Sequence, residues 1–266
     1  MSFKYETHLH TNQGSACGKV PGREYIAKYQ DLGYDGIIVT DHFFHGNCKP
    51  SRDLPWHQWV EEYCRGYEDA REEGEKRNFK VFFGLEERFD LCDEWLVYGL
   101  TKEYMLAHPE MRDWTRKQWL DNVHAAGGCL VQCHPFRQAA YMNHGFVAPC
   151  LGVDGVELCN SGNELAWDHL AVRYAKKMLP HLFFSAGSDI HNTCDRYGDE
   201  VLGVEFDTPL NSIGDYVQAV LQNAPHRLIA PARRLTEGEE KPAIGLPLRV
   251  LDRECNLTGL TLSDII

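Results

Sequence analysis

Short apolar runs of strand length alternate along this chain with longer stretches of helical period. Tyr5 to Thr11 opens the series, and Gly36 to Thr40, Lys80 to Leu85, Cys129 to Cys133, Val153 to Val156 and Leu182 to Ser188 continue it. Their shortness and their β-branched and aromatic side chains favour strand over helix. Between them, Pro21 opens a helix whose Tyr25, Ile26, Tyr29 and Leu32 have helical spacing, and Gly33 is placed to end it. Residues from about Trp56 to Asn78 predict one amphipathic helix, with Trp56, Trp59, Val60, Tyr63, Tyr67 and Ala70 on one face and Glu and Arg on the other. That aromatic stripe reads as core packing. Further helices are expected at about Thr115 to Ala126, stopped by Gly127-Gly128, at about Asn163 to Leu179 and near Ser212 to Gln222. Additional strands are expected at Asp93 to Leu100, Val201 to Phe206 and near His226 to Ala230, the last two completing a barrel.

This alternation is that of one α/β domain, and 266 residues suit a barrel, a fold that takes about 250. With 43% hydrophobic and 25% charged residues, the composition is that of a globular protein with enough material for a core. Past Pro231 the alternation fails: Arg233-Arg234 leads to the charged turn Glu237-Gly238-Glu239-Glu240-Lys241 and then to Leu246 to Leu251, an expected edge strand. The chain therefore divides into a barrel over residues 1–230 and an extension over 231–266 packed on it.

Charge narrows the partners. Basic residues number 27 against 39 acidic, a net charge of −12, which argues against a surface that neutralises a nucleic-acid backbone and favours a small substrate. No apolar run approaches the roughly 20 residues that span a bilayer and none precedes the first strand, so a cytoplasmic protein with no membrane partner is expected. The ten cysteines are scattered singly with no Cys-x-x-Cys pair, the usage of buried small apolar residues rather than of a disulfide framework.

Candidate chemistry falls at the ends of the apolar runs. His8 and His10, one residue apart in an extended chain, leave on the same face and can share one metal ion. Asp41-His42 follows the second run, Glu86 the third, His134 the fourth, Glu157 and Asn160 the fifth, and Asp189-Ile190-His191 the sixth. In a parallel α/β barrel all C-terminal strand ends open on one face, so ligands distant in sequence converge on one pocket.

The ordered set His8-x-His10, Thr40-Asp41-His42, Gly84-Leu85-Glu86, His134-Pro135 and Ser188-Asp189-x-His191 resembles the PHP (polymerase and histidinol phosphatase) family of metal-dependent phosphoesterases, over roughly residues 5–206. The resemblance implies a distorted (β/α)7 TIM-like barrel with parallel strands and one to three divalent ions. It implies that His8, His10, Glu86 and Asp189 hold a first ion, that Glu86 bridges to a second ion also bound by His134, and that His42 and His191 contribute to a third. Imidazole with carboxylate suits zinc, manganese or iron better than calcium, with magnesium as a further alternative. Clustered ions of this kind lower the pKa of bound water to give a hydroxide and clamp the oxygens of a transferring phosphoryl group.

The chain departs from the family pattern at two places. A further histidine is usual soon after the bridging Glu, yet none lies between Glu86 and Ala107; Trp95 to Thr101 occupy that segment, and His108 is the nearest substitute. Where the third ion usually finds a His or Asp shortly after the His-x-His, this chain reads Gln13-Gly14-Ser15-Ala16-Cys17, which makes Cys17 a candidate thiolate ligand. Asp41 is a candidate to orient His42 or to cap the turn after its strand, and Glu157 and Asn160 are lesser candidates at the barrel mouth. Arg137, three residues after His134, and Arg196, in the loop after His191, are the candidate cations for a substrate phosphate. His191 or a metal-bound water would protonate the leaving alkoxide. His45 and His57 lie in the loop after Asp41-His42 and read as exposed residues of the substrate mouth.

The expected function is removal of phosphate from a small phosphomonoester such as histidinol phosphate, a sugar phosphate or a nucleotide monophosphate. Three alternatives stand beside it: a phosphodiesterase or exonuclease of the same family, an amidohydrolase-type barrel, which also begins with His-x-His, and a non-catalytic metal-binding module. The Asp41-His42 and Asp189-x-His191 pairs fit the amidohydrolase layout less well.

Overall fold

Each of the apolar runs becomes a strand of one nine-stranded sheet in the structure, a computed structural model that describes residues 2–142, 145–238 and 244–266. In chain order the elements are β1 (Phe3–Leu9), α1 (Gly22–Asp31), β2 (Gly36–Val39), α2 (Trp56–Tyr63), α3 (Arg65–Arg77), β3 (Lys80–Arg88), β4 (Glu94–Tyr98), α4 (Lys102–Ala107), α5 (Arg116–Ala125) and β5 (Cys129–Gln132). They continue with β6 (Gly155–Asn160), α6 (Leu165–Met178), β7 (Phe183–Gly187), β8 (Gly203–Phe206), α7 (Ile213–Leu221), β9 (Arg227–Ile229) and α8 (Leu262–Ile265).

The strand order is β7-β6-β5-β4-β3-β2-β1-β8-β9. β1, β2 and β3 run parallel, as do β5, β6 and β7. The sheet is thus mostly parallel as expected, with nine strands rather than seven, and its exceptions are β4, antiparallel to both of its neighbours, and β8 and β9, which continue the sheet antiparallel past β1. The reason for β4 is the length of its connection. Only residues 89–93 separate it from β3, and a parallel return needs a crossover of a dozen or more. Phe89 N–H donates to Asp93 O at 2.9 Å, and Cys92 takes φ +66° in that turn.

The sheet curls into a nearly closed barrel whose seam lies at the candidate site. Leu9 and Ile190 form a parallel bridge there, with His10 N–H donating to Ile190 O (3.0 Å) and Asp189 N–H to His8 O (2.9 Å).

Local chemistry explains the helix limits. Thr115 and Ser212 each form reciprocal caps, with Gln118 and Asp215 respectively, which satisfy otherwise orphaned N–H groups. The helix expected over 56–78 is two helices with a break at Cys64, and Asn78 ends the second at φ +54°, a conformation that asparagine tolerates. Trp59, Val60, Tyr63 and Ala70 are buried as the stripe predicts, and Phe43 meets Trp59 and Trp119 edge-on at 5.1 and 5.5 Å. Leu32, expected on the buried face of α1, is exposed. Leu246 to Leu251 makes isolated bridges from Leu248 to Val147 and from Leu251 to Cys150 instead of an edge strand, while Val250 and Ile265 are buried in a cluster with Leu170 and Tyr174 of α6. The ten cysteines are all free, and among the described residues no helix is long and apolar enough to cross a membrane.

Candidate metal centre

β1 brings two imidazoles to the barrel seam from one face of the strand, and His8 Nε2 and His10 Nε2 lie 3.1 Å apart. Glu86, two residues from the end of β3, occupies the middle of the group. Its Oε1 lies 3.4 Å from His8 Nε2 and 3.1 Å from His134 Nε2, and its Oε2 lies 3.5 Å from His10 Nε2 and 2.5 Å from His42 Nδ1. Asp189 closes the other side, with Oδ1 at 3.0 Å from His10 Nε2 and 3.5 Å from His8 Nε2. His191 adds a third ring beside His10 and His42, its centroid 4.4 Å from that of His10.

Backbone conformation aims two of these side chains. His134 and Asp189 have φ of +31° and +51°, in the left-handed region that non-glycine residues seldom occupy. His134 is held by its own N–H, which donates to Glu157 Oε2 at 3.0 Å. Glu157 also faces His8 Nδ1 at 3.1 Å through Oε1, and Asn160 Nδ2 donates to its other oxygen at 2.8 Å. Gly187 must be glycine for this packing, since a Cβ there would overlap Glu157 Oε1 and His8 Cβ.

Asp41 does not reach the His42 ring as a hydrogen-bond partner. Its carboxylate accepts from Thr11 N–H (2.7 Å), Thr11 Oγ1 (2.6 Å) and Ser15 Oγ (2.6 Å). Ser15 Oγ in turn lies 3.2 Å from His10 Nδ1 and accepts from His42 N–H at 3.0 Å. Asp41 thus shapes the loop after β1 and acts on both histidines through Ser15. Burial pushes its pKa up to about 6, against the hydrogen bonds from Ser15 and Thr11.

The electrostatics are those of acids and imidazoles forced together out of water. Burial alone would lower the His8 pKa, but Asp189, Glu157 and Glu86 raise it well above the ordinary value. His10 goes the other way: burial together with His42 and His191 holds it well below the ordinary value, against its hydrogen bond with Asp189. Burial opposes ionisation of Glu86 and Asp189, yet His42 and His8 lower Glu86, and His8 and Arg137 lower Asp189.

The donor set fits a divalent cation. His42 Nδ1 and Glu86 Oε2 are buried and 2.5 Å apart, yet neither has a well-aligned hydrogen bond. Such atoms are costly to bury unless something else satisfies them. Three groupings could each surround an ion: His8, Glu86, Cys133 and His134; His8, His10 and Asp189; and His10, His42 and His191. A fourth joins His42 and Glu86 to Glu94.

A cleft of about 410 Å³ opens onto this cluster, lined by Cys17, His42, Arg88, Glu94, Arg137, Tyr141, Asp189 and His191 among others. Arg137 is partly buried, and its Nη1, Nη2 and Nε donate to Asp189 Oδ2 (2.7 Å), Asn160 Oδ1 (2.6 Å) and Asn163 Oδ1 (2.9 Å). Arg196 is not at the cleft; it is exposed, with Nη1 at 3.4 Å from Asn192 Oδ1. Cys17 does reach the cleft. Burial would raise its thiol, but hydrogen bonds with His191 and His42 bring it down to about 6. His108 is not the substitute histidine; its Nδ1 pairs with Glu110 at 2.8 Å outside the site. His57 is exposed, and His45 is half-exposed with Nδ1 at 2.6 Å from the buried Glu87.

The sequence reading missed Glu94, Cys133 and Arg88. Cys133 Sγ donates to Glu86 Oε1 at 3.3 Å, and its place directly before His134 was the available signal. Arg88 follows Glu86 by two residues and so shares its face of β3.

No protein-family model and no curated protein matches the chain. Solved structures do. A two-domain protein containing a predicted PHP-like metal-dependent phosphoesterase, from Bacteroides vulgatus ATCC 8482, matches with a TM-score of 0.63 at 16% identity over 86% of this chain. The match spans 64% of that longer protein. PsfC from Pseudomonas syringae PB-5123 matches with a TM-score of 0.51 at 17% identity, over 88% of this chain and 93% of PsfC. At such identities the likeness is one of fold, and in fold this chain is a PHP-like barrel of mostly parallel strands, as the resemblance of its motifs implied.

Proposed function

We propose that this chain is a cytoplasmic, metal-dependent phosphoesterase that removes phosphate from a small phosphomonoester. The observation that supports the reading is the clustering of seven buried or half-buried side chains, His8, His10, His42, Glu86, His134, Asp189 and His191, of which His42, Asp189 and His191 line the cleft. His8, His10, Glu86 and Asp189 would hold one ion, Glu86 and His134 a second, and His42 and His191, with Cys17 beside them, a third. When bound, divalent ions of the zinc, manganese or iron type lower the pKa of water and offset phosphoryl charge.

The protein supplies position and charge. Asp189, Asn160 and Asn163 immobilise Arg137 at the cleft beside Tyr141, where its guanidinium would meet phosphate oxygens. Nδ1 of His191 lies 2.7 Å from Asp189 O, so the ring carries its proton there and keeps Nε2 for an ion or, when doubly protonated, for donation to a leaving alkoxide. A cleft of about 410 Å³ suits a metabolite, and the net charge of −12 disfavours a nucleic-acid strand.

The test is to strip the protein with a chelator, reload it with Mn2+ or Zn2+, and follow phosphate release from histidinol phosphate, sugar phosphates and nucleotide monophosphates beside short oligonucleotides. Metal-dependent turnover of monoesters alone is the expected result. Nucleotide release from oligonucleotides would select the exonuclease reading instead, and metal binding without any turnover would select the non-catalytic one.

A further inference from the structure

We infer that Glu94 is a metal ligand, the carboxylate that completes the second cation position with Glu86 and His134. The inference rests on the metal-dependent reading above and adds to it a residue and a metal preference.

Register directs Glu94 inward. In the antiparallel pair of β3 and β4, Arg88 stands opposite Glu94 and Glu86 opposite Leu96, so Glu86, Arg88 and Glu94 share one face of the sheet. The Glu94 side chain is only 2% exposed, although it begins its strand. Its two oxygens have different surroundings. Oε1 accepts from Arg88 Nε at 3.0 Å and lies 2.9 Å from Arg88 Nη2. Oε2 lies 3.8 Å from His134 Nε2, too far for a hydrogen bond. Donor atoms that share one small divalent ion stand about 3–4 Å apart, given ligand distances near 2.1 Å. Glu94 also shares a grouping with His42 and Glu86, whose Nδ1 and Oε2 are among the buried atoms without a hydrogen bond. Glu86 Oε1 and Glu94 Oε2 thus both flank His134 Nε2, at 3.1 and 3.8 Å, spacings that one small divalent ion could bridge.

Arg88 makes this arrangement affordable in charge. It neutralises the outer oxygen of Glu94 and is itself held over the Tyr141 ring at 4.8 Å, which leaves the inner oxygen for a cation. With two carboxylates and one imidazole, this position is richer in oxygen than the imidazole group of His10, His42 and His191. Oxygen-rich sets favour Mn2+, Fe2+ or Mg2+, whereas imidazole sets suit Zn2+.

Metal-free wild type, Glu94→Ala, Glu94→Gln and His10→Ala are titrated with Mn2+, bound and free ion being resolved by electron paramagnetic resonance and elemental analysis. Glu94→Gln keeps an oxygen for Arg88 and guards against a folding defect, with thermal melting as the check. We expect wild type to bind at least two ions per chain, and both Glu94 variants to lose one class or weaken it by about tenfold or more while the other class is unchanged. His10→Ala should affect the complementary class. Wild-type stoichiometry and affinity in both Glu94 variants would overturn the role of Glu94 alone. A wild type that binds no divalent ion would overturn the metal-dependent reading together with it.

Discussion

His10 Nε2 and Asp189 Oδ1, drawn from the first and the seventh strand ends, lie 3.0 Å apart at the barrel seam, and the other oxygen of that carboxylate accepts from Arg137 Nη1 at 2.7 Å. Asp189 therefore has a structural duty beside any metal. Asp189→Ala leaves the partly buried Arg137 guanidinium only its neutral partners Asn160 and Asn163 and should cost about 1–3 kcal/mol. Asp189→Asn keeps an acceptor for Arg137, so it should stay folded and lose only the negative charge that a cation needs. His10→Ala, which leaves the pairing of Asp189 with Arg137 intact, should also fold. Urea unfolding of the metal-free proteins, paired with phosphate release after reloading, separates the two effects. Wild-type turnover in both Asp189→Asn and His10→Ala would remove these residues from the ligand set.

Glu157 stands behind the ligands, 3.1 Å from His8 Nδ1 and 3.0 Å from the His134 N–H. A carboxylate in that place fixes the ring so that Nε2 faces the metal side and makes it a better donor. Glu157→Gln should weaken metal binding by about 10–100-fold without changing the number of ions. Gly187→Ala should have a like effect for a steric reason, since its new methyl group would collide with the same Glu157 oxygen and with His8. Calorimetric titration with Zn2+ reads both, and unchanged affinity in Glu157→Gln would make that residue a packing element.

The strand ends and the candidate ligands at them were legible because each signal is local, an apolar run followed by a ligand-type residue. What was not legible depends on register and on loops. The direction of β4 is set by the turn over 89–93, and apolar alternation carries no direction. Glu94 at the start of a strand reads as a solvated charge until its pairing opposite Arg88 turns it inward. Arg196 and Arg88 look alike in sequence, but only Arg88 lies on the inner face of a barrel strand and borders the cleft. Asp41 reads as the partner of the adjacent His42, whereas the fold gives it Thr11 and Ser15 from the preceding loop.

Cys17 and Cys255 should be the reactive thiols among the ten. His191 and His42 bring Cys17 to about 6 despite its burial, and a hydrogen bond with Cys150 lowers Cys255 while Cys150 itself is raised. Burial raises Cys48, Cys64, Cys92, Cys129, Cys133, Cys159 and Cys194, which keeps them as thiols. Iodoacetamide at pH 7 should label Cys17 first and Cys255 next, read by peptide mass spectrometry. Prior loading with Zn2+ should slow Cys17 and leave Cys255 unaffected. A Cys17 rate that ignores the metal would exclude it as a ligand.

Glu6, buried behind the histidines, should give the fold an unusual pH dependence. Its Oε1 accepts from the N–H groups of Thr7 (3.0 Å), His8 (2.9 Å) and Ser188 (3.0 Å), and its Oε2 from Tyr29 (2.8 Å). Burial still pushes its pKa from 4.5 up to about 7, with those hydrogen bonds working the other way. Between pH 4.5 and about 7 the unfolded chain has released a proton that the folded chain retains, so stability falls as pH rises through that window. The sign is opposite to that of Asp189, whose lowered pKa contributes stability that is lost in acid. The full Glu6 effect is about 3 kcal/mol. Glu6→Gln cannot titrate, so between those pH limits metal-free Glu6→Gln should lose less stability than wild type by that amount, read as the difference between their urea unfolding free energies at each pH. Parallel pH profiles for the two proteins would show that Glu6 is ionised in the fold and that its four donors outweigh its burial.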